Sequence, residues 1–193
     1  MIRKDEGRFR ELLVEYGKKL LADGLVQGTW GNLSVRLDDR YMLATPSGLD
    51  YERLTPEDMV PVDCSDLTYD GPRKPTSEKG LHAGIYLQHE DAGAVIHTHS
   101  KYCCIFAAAN MPLPVEDPAL AAELGEFIRI GKYGFAGTKT LTRNTLAALG
   151  DAPGCLMSHH GMICYGRDLA DAYRKCRMIE QAAMEYIDKR WEV

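Results

Sequence analysis

The chain has 193 residues, of which 45% are hydrophobic and 26% charged, and 23 Lys and Arg against 28 Asp and Glu give a formal net charge of −5. This composition is typical of one globular domain and excludes a largely disordered chain. Nucleic-acid binders need a dense basic face and membrane spans need about 20 consecutive apolar residues, so the sequence argues against both. No secretory signal is visible. We therefore expect residues 1–193 to form a single cytoplasmic domain.

The hydrophobic pattern predicts helices and strands in alternation. Helical spacing of apolar residues predicts an opening helix over 9–21, and polar–apolar alternation predicts a β-hairpin over 32–44. Further strands are predicted over 59–62, 94–96, 127–130, 154–157 and 162–165, and further helices over 77–88, 101–109, 119–126, 138–149 and 168–191. The stretch 110–118 is rich in proline and is predicted to be irregular. This order indicates an α/β domain with a mixed sheet covered by helices.

Cysteine and histidine are the scarce residue types that carry the most information. The chain has 6 Cys and 6 His. The cysteines show no CxxC spacing and lie mostly in apolar runs, so we expect reduced core residues rather than a disulfide framework. Four of the histidines form two tight clusters, His97-Thr98-His99 and His159-His160, each at the end of a predicted strand.

These two clusters predict a metal site. Alternate residues of a strand face the same way, so His97 and His99 can present both imidazoles to one point. Catalytic zinc sites usually have three protein ligands. One residue of the His159-His160 pair could supply the third, because adjacent strand residues face opposite ways. Glu78, at a predicted helix start, can bring a carboxylate to the same strand ends.

The alternative for each histidine is an ordinary core or surface position. An isolated H-x-H on a strand is a weak metal motif, and the second pair, followed by Gly161, is what favours a site. His82 and His89 lie on one predicted helix without a carboxylate in register. We interpret these two as structural or surface residues.

Three short turns rich in glycine and hydroxyl side chains form a second polar group. They are Gly28-Thr29-Trp30-Gly31-Asn32, Thr45-Pro46-Ser47-Gly48 and Pro75-Thr76-Ser77. Such turns expose backbone N–H groups, and Ser77 opens a predicted helix whose positive dipole end favours anions. Each turn taken alone is explained equally well by plain turn chemistry or an N-cap. One turn by itself therefore predicts no binding site.

In their order along the chain these motifs resemble the class II aldolase family of the L-fuculose-phosphate aldolase and ribulose-phosphate 4-epimerase type, the aldolase/adducin fold. Residues 28–36 are similar to the family pattern G-T-x-G-N-x-S-x-R, and residues 45–48 to T-P-[ST]-G. Residues 75–82 resemble P-[ST]-S-E-x₃-H, residues 97–99 H-[NT]-H, and residues 158–161 the aldolase form [QS]-H-H-G. Each motif is weak alone, and their order and spacing make the resemblance specific.

The resemblance implies a mostly antiparallel central sheet flanked by helices, in the class II aldolase/adducin-like fold. It implies that His97, His99 and His160 bind Zn²⁺, with Glu78 as a further ligand and as the catalytic acid/base. The residues that it implies for the substrate phosphate are Gly31, Asn32, Ser47, Gly48, Thr76 and Ser77. It also implies one Zn²⁺ per subunit, with Mn²⁺, Co²⁺ or Fe²⁺ as substitutes, and a homotetramer with active sites near subunit interfaces.

The implied reaction is cleavage of a ketose 1-phosphate, similar to L-fuculose 1-phosphate, into dihydroxyacetone phosphate and an aldehyde through a Zn²⁺-stabilised enediolate. Alternatives on the same scaffold are a decarboxylase or 4-epimerase of a sugar or sugar-acid phosphate, a methylthioribulose-phosphate dehydratase, and a non-catalytic adducin-like module. The epimerase resembles S-H-G-P and has Asp where this chain has Glu78, so cleavage is favoured here. The retained histidines and Glu78 argue against the non-catalytic module. At the position of the family's proton-donating tyrosine this chain has Pro118.

Overall fold

The fold alternates short strands with helices, and the computed structural model describes residues 5–191. The helices of the described chain are α1 Glu6–Ala22, α2 Lys79–Gln88, α3 Lys101–Ala109, α4 Pro118–Leu124, α5 Lys139–Leu149 and α6 Leu169–Trp191. Its strands are β1 Asn32–Arg36, β2 Tyr41–Ala44, β3 Val60–Asp63, β4 Ala94–Thr98, β5 Leu113–Pro114, β6 Phe127–Ile128, β7 Ile130–Gly131, β8 Gly154–Met157 and β9 Gly161–Gly166. Within this part of the chain, no helix has both the length and the apolar character that a membrane crossing requires.

Seven strands form one sheet in the order β3-β2-β1-β4-β9-β8-β7. Every neighbouring pair in it is antiparallel except β7 and β8, which are parallel. The predicted α/β fold, with a mixed and mostly antiparallel central sheet flanked by helices, is confirmed.

Both faces of the sheet are covered, because the central strands carry apolar residues at successive positions. Ile96 of β4 belongs to the core on the face covered by α1, α3, α4 and α6. Its neighbour Val95 belongs to the core on the other face, under α2 and α5. Side chains alternate between faces along a strand, so a continuous apolar run such as β4 fills two cores at once. This arrangement leaves the strand ends as the place where polar side chains can collect.

The chain between α3 and α5 differs from the expectation. The single strand predicted over 127–130 is two strands, β6 and β7, which belong to different sheets. The stretch predicted to be irregular contains β5, whose Leu113 pairs with Ile128 of β6. Local periodicity predicted an extended conformation here, whereas the choice of partner strand depends on contacts distant in sequence.

Candidate active site

The two histidines of the first cluster converge at the end of the central strand β4. His97 is the fourth residue of β4 and is buried, and His99 follows the strand on the same side. The Nδ1–H of His97 donates to the carbonyl oxygen of Met162 on β9, at 2.7 Å. This bond fixes the tautomer and leaves the Nε2 lone pair free to face the site. The Nε2 atoms of His97 and His99 lie 2.9 Å apart, a separation that needs a proton or a cation between two acceptor nitrogens.

The second histidine pair lies in a turn and not on a strand, so strand alternation is not the reason why only one of its members approaches the first cluster. Residues 158–160 form the tight turn that joins β8 to β9. His159 adopts a left-handed backbone with φ of 54° and is exposed. His160 is the member that approaches the first cluster, and the candidate ligand atoms of His97, His99 and His160 all lie within 4.8 Å of one another. A short antiparallel connection needs a residue with positive φ, and that requirement turns the two side chains apart.

The Glu78 carboxylate sits against these imidazoles. Glu78 is the N-cap residue of α2 and only 4% exposed. Its Oε2 lies 3.1 Å from Nε2 of His97, and its Oε1 lies 3.1 Å from Nε2 of His160. Oε2 also accepts a hydrogen bond from Nδ2 of Asn32, at 2.9 Å. Within the described residues the buried Oε1 atom makes no well-aligned hydrogen bond, the His160 contact included. A buried carboxylate oxygen in this situation is an electrostatic cost that a cation would remove.

The protonation states suit metal binding. Burial raises the pKa of the Glu78 carboxyl, but His97, His160 and the Asn32 amide lower it by more, so the pKa stays below its ordinary value. Burial lowers the pKa of His97, and burial with the neighbouring imidazoles lowers the pKa of His99 to about 4. Neutral imidazoles and an ionised carboxylate are the forms that bind divalent cations. Three imidazole nitrogens and one carboxylate fit Zn²⁺ or a similar ion.

Two glycines of the sequence motifs are required by close packing around the histidines. Gly31 has φ of 98°, and a Cβ on it would lie 2.8 Å from the carbonyl oxygen of His97. A Cβ on Gly161 would lie 2.3 Å from the carbonyl oxygen of Thr98 and 3.3 Å from Cε1 of His97. Neither position has space for a side chain, so Gly31 lets the 28–32 turn approach the end of β4, and Gly161 lets the 158–160 turn approach it as well.

A cleft of about 170 Å³ opens beside the three converging histidines. Its lining includes all six residues proposed for the phosphate, namely Gly31, Asn32, Ser47, Gly48, Thr76 and Ser77. Glu78, His97, His99 and His160 line the same cleft. No lysine or arginine is among the described residues that line it. An anion bound here would therefore be held by N–H groups, hydroxyls and a metal ion rather than by side-chain cations.

Two of the six residues hold Glu78 as well as line the cleft. Asn32 donates to Glu78 through Nδ2, and its Oδ1 faces Nε2 of His82 at 2.6 Å. The hydroxyl oxygen of Thr76 accepts the backbone N–H of Glu78, at 3.2 Å. By contrast, Ser47 and Ser77 are exposed in the cleft. The turn residues thus divide into supports for the carboxylate and groups open to a ligand.

One residue at the site was not singled out from the sequence. Trp30 lines the cleft, is 61% exposed, and has its ring centroid 6.0 Å from that of His99. In the motif it occupied only a variable position, although a large apolar residue in a turn of small ones was a usable signal.

Pro118 begins α4, whose N-terminus the Asp117 carboxylate caps. A helix therefore starts at the position where the resemblance would place the family's tyrosine.

The two histidines interpreted as structural or surface residues differ in burial, since His82 is buried and His89 is half-buried. His82 is fully buried on α2, so the structural interpretation holds for it and the surface one does not. His89 stacks on Tyr165 with ring centroids 4.6 Å apart.

Comparison with known proteins finds a matching family model, similar sequences and a similar solved structure. The family model described as "Class II Aldolase and Adducin N-terminal domain" matches residues 11–187. The chain is 41% identical over 177 residues to the 5-methylthioribulose-1-phosphate/5-deoxyribulose-1-phosphate aldolase of Rhodospirillum rubrum, covering 92% of this chain and 79% of that protein. It is 35% identical over 178 residues to the 5-deoxy-D-ribulose 1-phosphate aldolase of Bacillus thuringiensis, covering 92% and 83%. A solved structure of an L-fuculose 1-phosphate aldolase is similar with a TM-score of 0.90 and 31% identity, covering 96% and 88%.

Proposed function

The chain belongs to the class II aldolase and adducin N-terminal domain family and is a class II aldolase, a carbon–carbon lyase, and from this premise we propose that it cleaves a ketose 1-phosphate into dihydroxyacetone phosphate and an aldehyde. The family predicted from the motifs is thereby confirmed. The observation that carries the proposal is the contact of the Glu78 carboxylate with His97 and His160 at 3.1 Å, beside a cleft of hydroxyl and glycine turns.

We propose His97, His99, His160 and Glu78 as the ligands of one divalent cation, Zn²⁺ in the first instance. Bound there, the cation would supply Lewis-acid chemistry, stabilising the negative charge that develops on the substrate when its C3–C4 bond breaks. The orphaned Oε1 of Glu78 and the 2.9 Å separation of two imidazole nitrogens support this assignment. Mn²⁺, Co²⁺ and Fe²⁺ are substitutes that the same donor set accepts.

Glu78 is the proposed acid/base. When the C3–C4 bond breaks, its electron pair stays on C3, and the ionised Glu78 carboxylate takes up the proton that the C4 hydroxyl loses as it becomes the aldehyde. Glu78 then delivers a proton to C3, which completes dihydroxyacetone phosphate. Oε2 is held by Asn32, whereas Oε1 makes no well-aligned hydrogen bond within the described residues and faces Nε2 of His160, so Oε1 is the oxygen proposed to carry that proton.

The turns of the cleft are proposed to hold the phosphate. Ser47, Gly48 and Ser77 are exposed at the cleft, and Ser77 precedes α2 by two residues, near its positive end. Gly31, Asn32 and Thr76 complete the proposed set. Fixing the phosphate end orients the reacting carbons against Glu78, so that binding far from the reaction contributes to turnover.

Among ketose 1-phosphates, Trp30 supports a substrate with an apolar end. Its exposed indole lines the cleft close to His99. The aldolases of R. rubrum and B. thuringiensis are named for 5-deoxy ketose 1-phosphates. A methyl or methylthio group at that end would contact the indole better than a hydroxyl would. We therefore place such sugars beside L-fuculose 1-phosphate as the first candidates.

The subunit arrangement and location are also proposals. Exposed aromatic side chains lie in and beside the cleft: Trp30, 61% exposed, lines it, and Phe135, 72% exposed, precedes the lining residue Ala136 and packs on Tyr133, 49% exposed. Such a patch next to a cleft suits contact with a second copy of the chain, which supports the proposed homotetramer with active sites near subunit interfaces. Light scattering of the purified protein tests the oligomeric state. For the location, we propose the cytoplasm.

The experiment that tests the function is a product analysis of the Zn²⁺-loaded protein. The substrates are 5-deoxy-D-ribulose 1-phosphate, 5-methylthioribulose 1-phosphate, L-fuculose 1-phosphate and a sugar-acid phosphate. Chelator-sensitive release of dihydroxyacetone phosphate supports the proposal. Release of CO₂ from the acid alone, or conversion of a ketose phosphate to its 4-epimer without cleavage, would replace it with a decarboxylase or an epimerase.

A further inference from the structure

A chain of buried polar side chains runs away from the cleft behind Glu78. Oδ1 of Asn32 lies 2.6 Å from Nε2 of His82, and Nδ1 of His82 lies 2.7 Å from the hydroxyl of Ser34. That hydroxyl lies 2.8 Å from the hydroxyl of Tyr86. His82 and Ser34 are 0% exposed and Tyr86 is 3% exposed. This series of hydrogen bonds therefore begins at Glu78 and ends at Tyr86, inside the core.

The donor and the acceptor of every hydrogen bond in this series follow from the Glu78 carboxylate and the buried His82 ring. The Glu78 carboxylate can only accept, so the Asn32 amide presents Nδ2 to it and Oδ1 to His82. Nε2 of His82 must then donate. A second proton on the ring would put a charge in a fully buried site without a carboxylate in contact, so Nδ1 accepts from Ser34. The Ser34 oxygen in turn accepts from Tyr86.

The residues of this hydrogen-bonded series come from helix α2 and strand β1, and the spacing along each element puts them on the sides that face each other. Glu78, His82 and Tyr86 are spaced by four at the start of and along α2, so they share one helix face. Asn32 and Ser34 are spaced by two on β1, so they share one strand face. The two polar rows meet in the core, where every bond strengthens its neighbours because the surroundings are apolar.

We propose that His82, backed by Ser34 and Tyr86, is a positioning residue that orients the Asn32 amide and through it the Glu78 carboxylate. Without the donor at Nε2 of His82, the Asn32 amide is free to turn its oxygen toward the carboxylate, which repels it. With the donor in place, Oε2 of Glu78 is held by Asn32 and Oε1 is aimed at His160. This inference rests on the proposed role of Glu78 as ligand and acid/base.

A matched pair of variants separates positioning from packing. His82→Gln places an amide N–H near the former Nε2 and keeps the bond to Asn32. His82→Asn has a shorter side chain that keeps only the contact with Ser34. Both remove the ring and with it part of the packing of α2 against β1. We expect His82→Asn to lower kcat about 30-fold at an unchanged KM, while His82→Gln stays within about 3-fold of the wild type. Equal losses of kcat in the two variants would overturn the inference.

Zn²⁺ affinity and histidine tautomers are readouts that do not depend on turnover. In a chelator competition we expect Zn²⁺ affinity to fall about 10-fold in His82→Asn and to be retained in His82→Gln. In ¹⁵N spectra of the metal-free wild type we expect His82 protonated at Nε2 only. Protonation at Nδ1, or equal Zn²⁺ affinities in the two variants, would overturn the inference. If no sugar phosphate is cleaved by the wild type, the proposed function fails, and these two measurements still decide on the positioning role.

Discussion

The two walls of the cleft differ in the burial of their residues. The metal wall, formed by Glu78, His97, His99 and His160, consists of side chains that are buried or nearly so. The anion wall, formed by Gly31, Ser47, Gly48 and Ser77, consists of turn residues, three of them exposed. One wall is fixed before any ligand arrives, and the other is open to solvent.

The difference shows how an acidic protein can bind a phosphorylated sugar. The net charge of −5 provides no general attraction for an anion, and no lysine or arginine is among the described lining residues. The attraction must come from the local field of the metal wall and from directed N–H and hydroxyl groups. Substitutions in the metal wall should therefore affect turnover and metal binding, and those in the anion wall should affect substrate binding.

Glu78→Gln should have the largest effect. The amide keeps the shape but cannot carry a proton, so we expect kcat to fall about 10³-fold with the fold retained. The measurement is steady-state cleavage together with a circular dichroism melt. Glu90→Gln, at an exposed position after α2, is the matched control. Near-normal turnover in Glu78→Gln would contradict the assignment of the metal wall.

The neighbouring histidines provide the next test, because only one of them faces the site. His160→Asn removes a metal ligand, and we expect Zn²⁺ affinity to fall at least about 100-fold. His159→Asn keeps a residue type that tolerates positive φ, and we expect unchanged affinity. Chelator competition measures both variants. Equal losses would mean that the turn does not select His160.

Ser77→Ala tests the anion wall with a smaller effect. Loss of one hydroxyl hydrogen bond costs about 1 kcal/mol, so we expect KM for the sugar phosphate to rise about 5-fold at an unchanged kcat. Ser77→Thr, which keeps a hydroxyl, is the control. A change confined to kcat would place Ser77 with the metal wall and remove the distinction between the two walls.

The smallest expected effect is on the pH dependence of the unfolding free energy, through His82, which lies behind the metal wall. Burial lowers the pKa of His82 from 6.5 to about 3. Because the unfolded chain takes up this proton first, the stabilisation is complete above pH 6.5 and is lost as the pH falls toward 3. Between pH 7 and 5.5 we expect the wild type to lose about 1 kcal/mol more unfolding free energy than His82→Gln. Urea denaturation at both pH values measures this, and parallel losses would contradict it.

The sequence by itself determined the residue types of the site and their local direction. Strand alternation predicted that His97 and His99 face one point, and the structure brings their nitrogens within 2.9 Å. The ordered motifs were sufficient to identify the family and its sheet, because each motif depends on a local backbone requirement, such as the glycine at position 31 that must approach His97. The assignment of one domain to residues 1–193 stays a prediction.

Only the tertiary structure decided which of these residues work together. The turn between β8 and β9 brings His160 to the first cluster and leaves His159 exposed, a choice that the family resemblance implied but the residue pattern alone left open. Strand pairing divided the stretch 127–130 between two sheets. The packing of α2 on β1 brought His82 to Asn32, across 50 residues of sequence, and made it part of the site. Periodicity along the chain fixes the direction of a side chain, whereas its partner depends on how distant segments pack, and a single sequence does not display that packing.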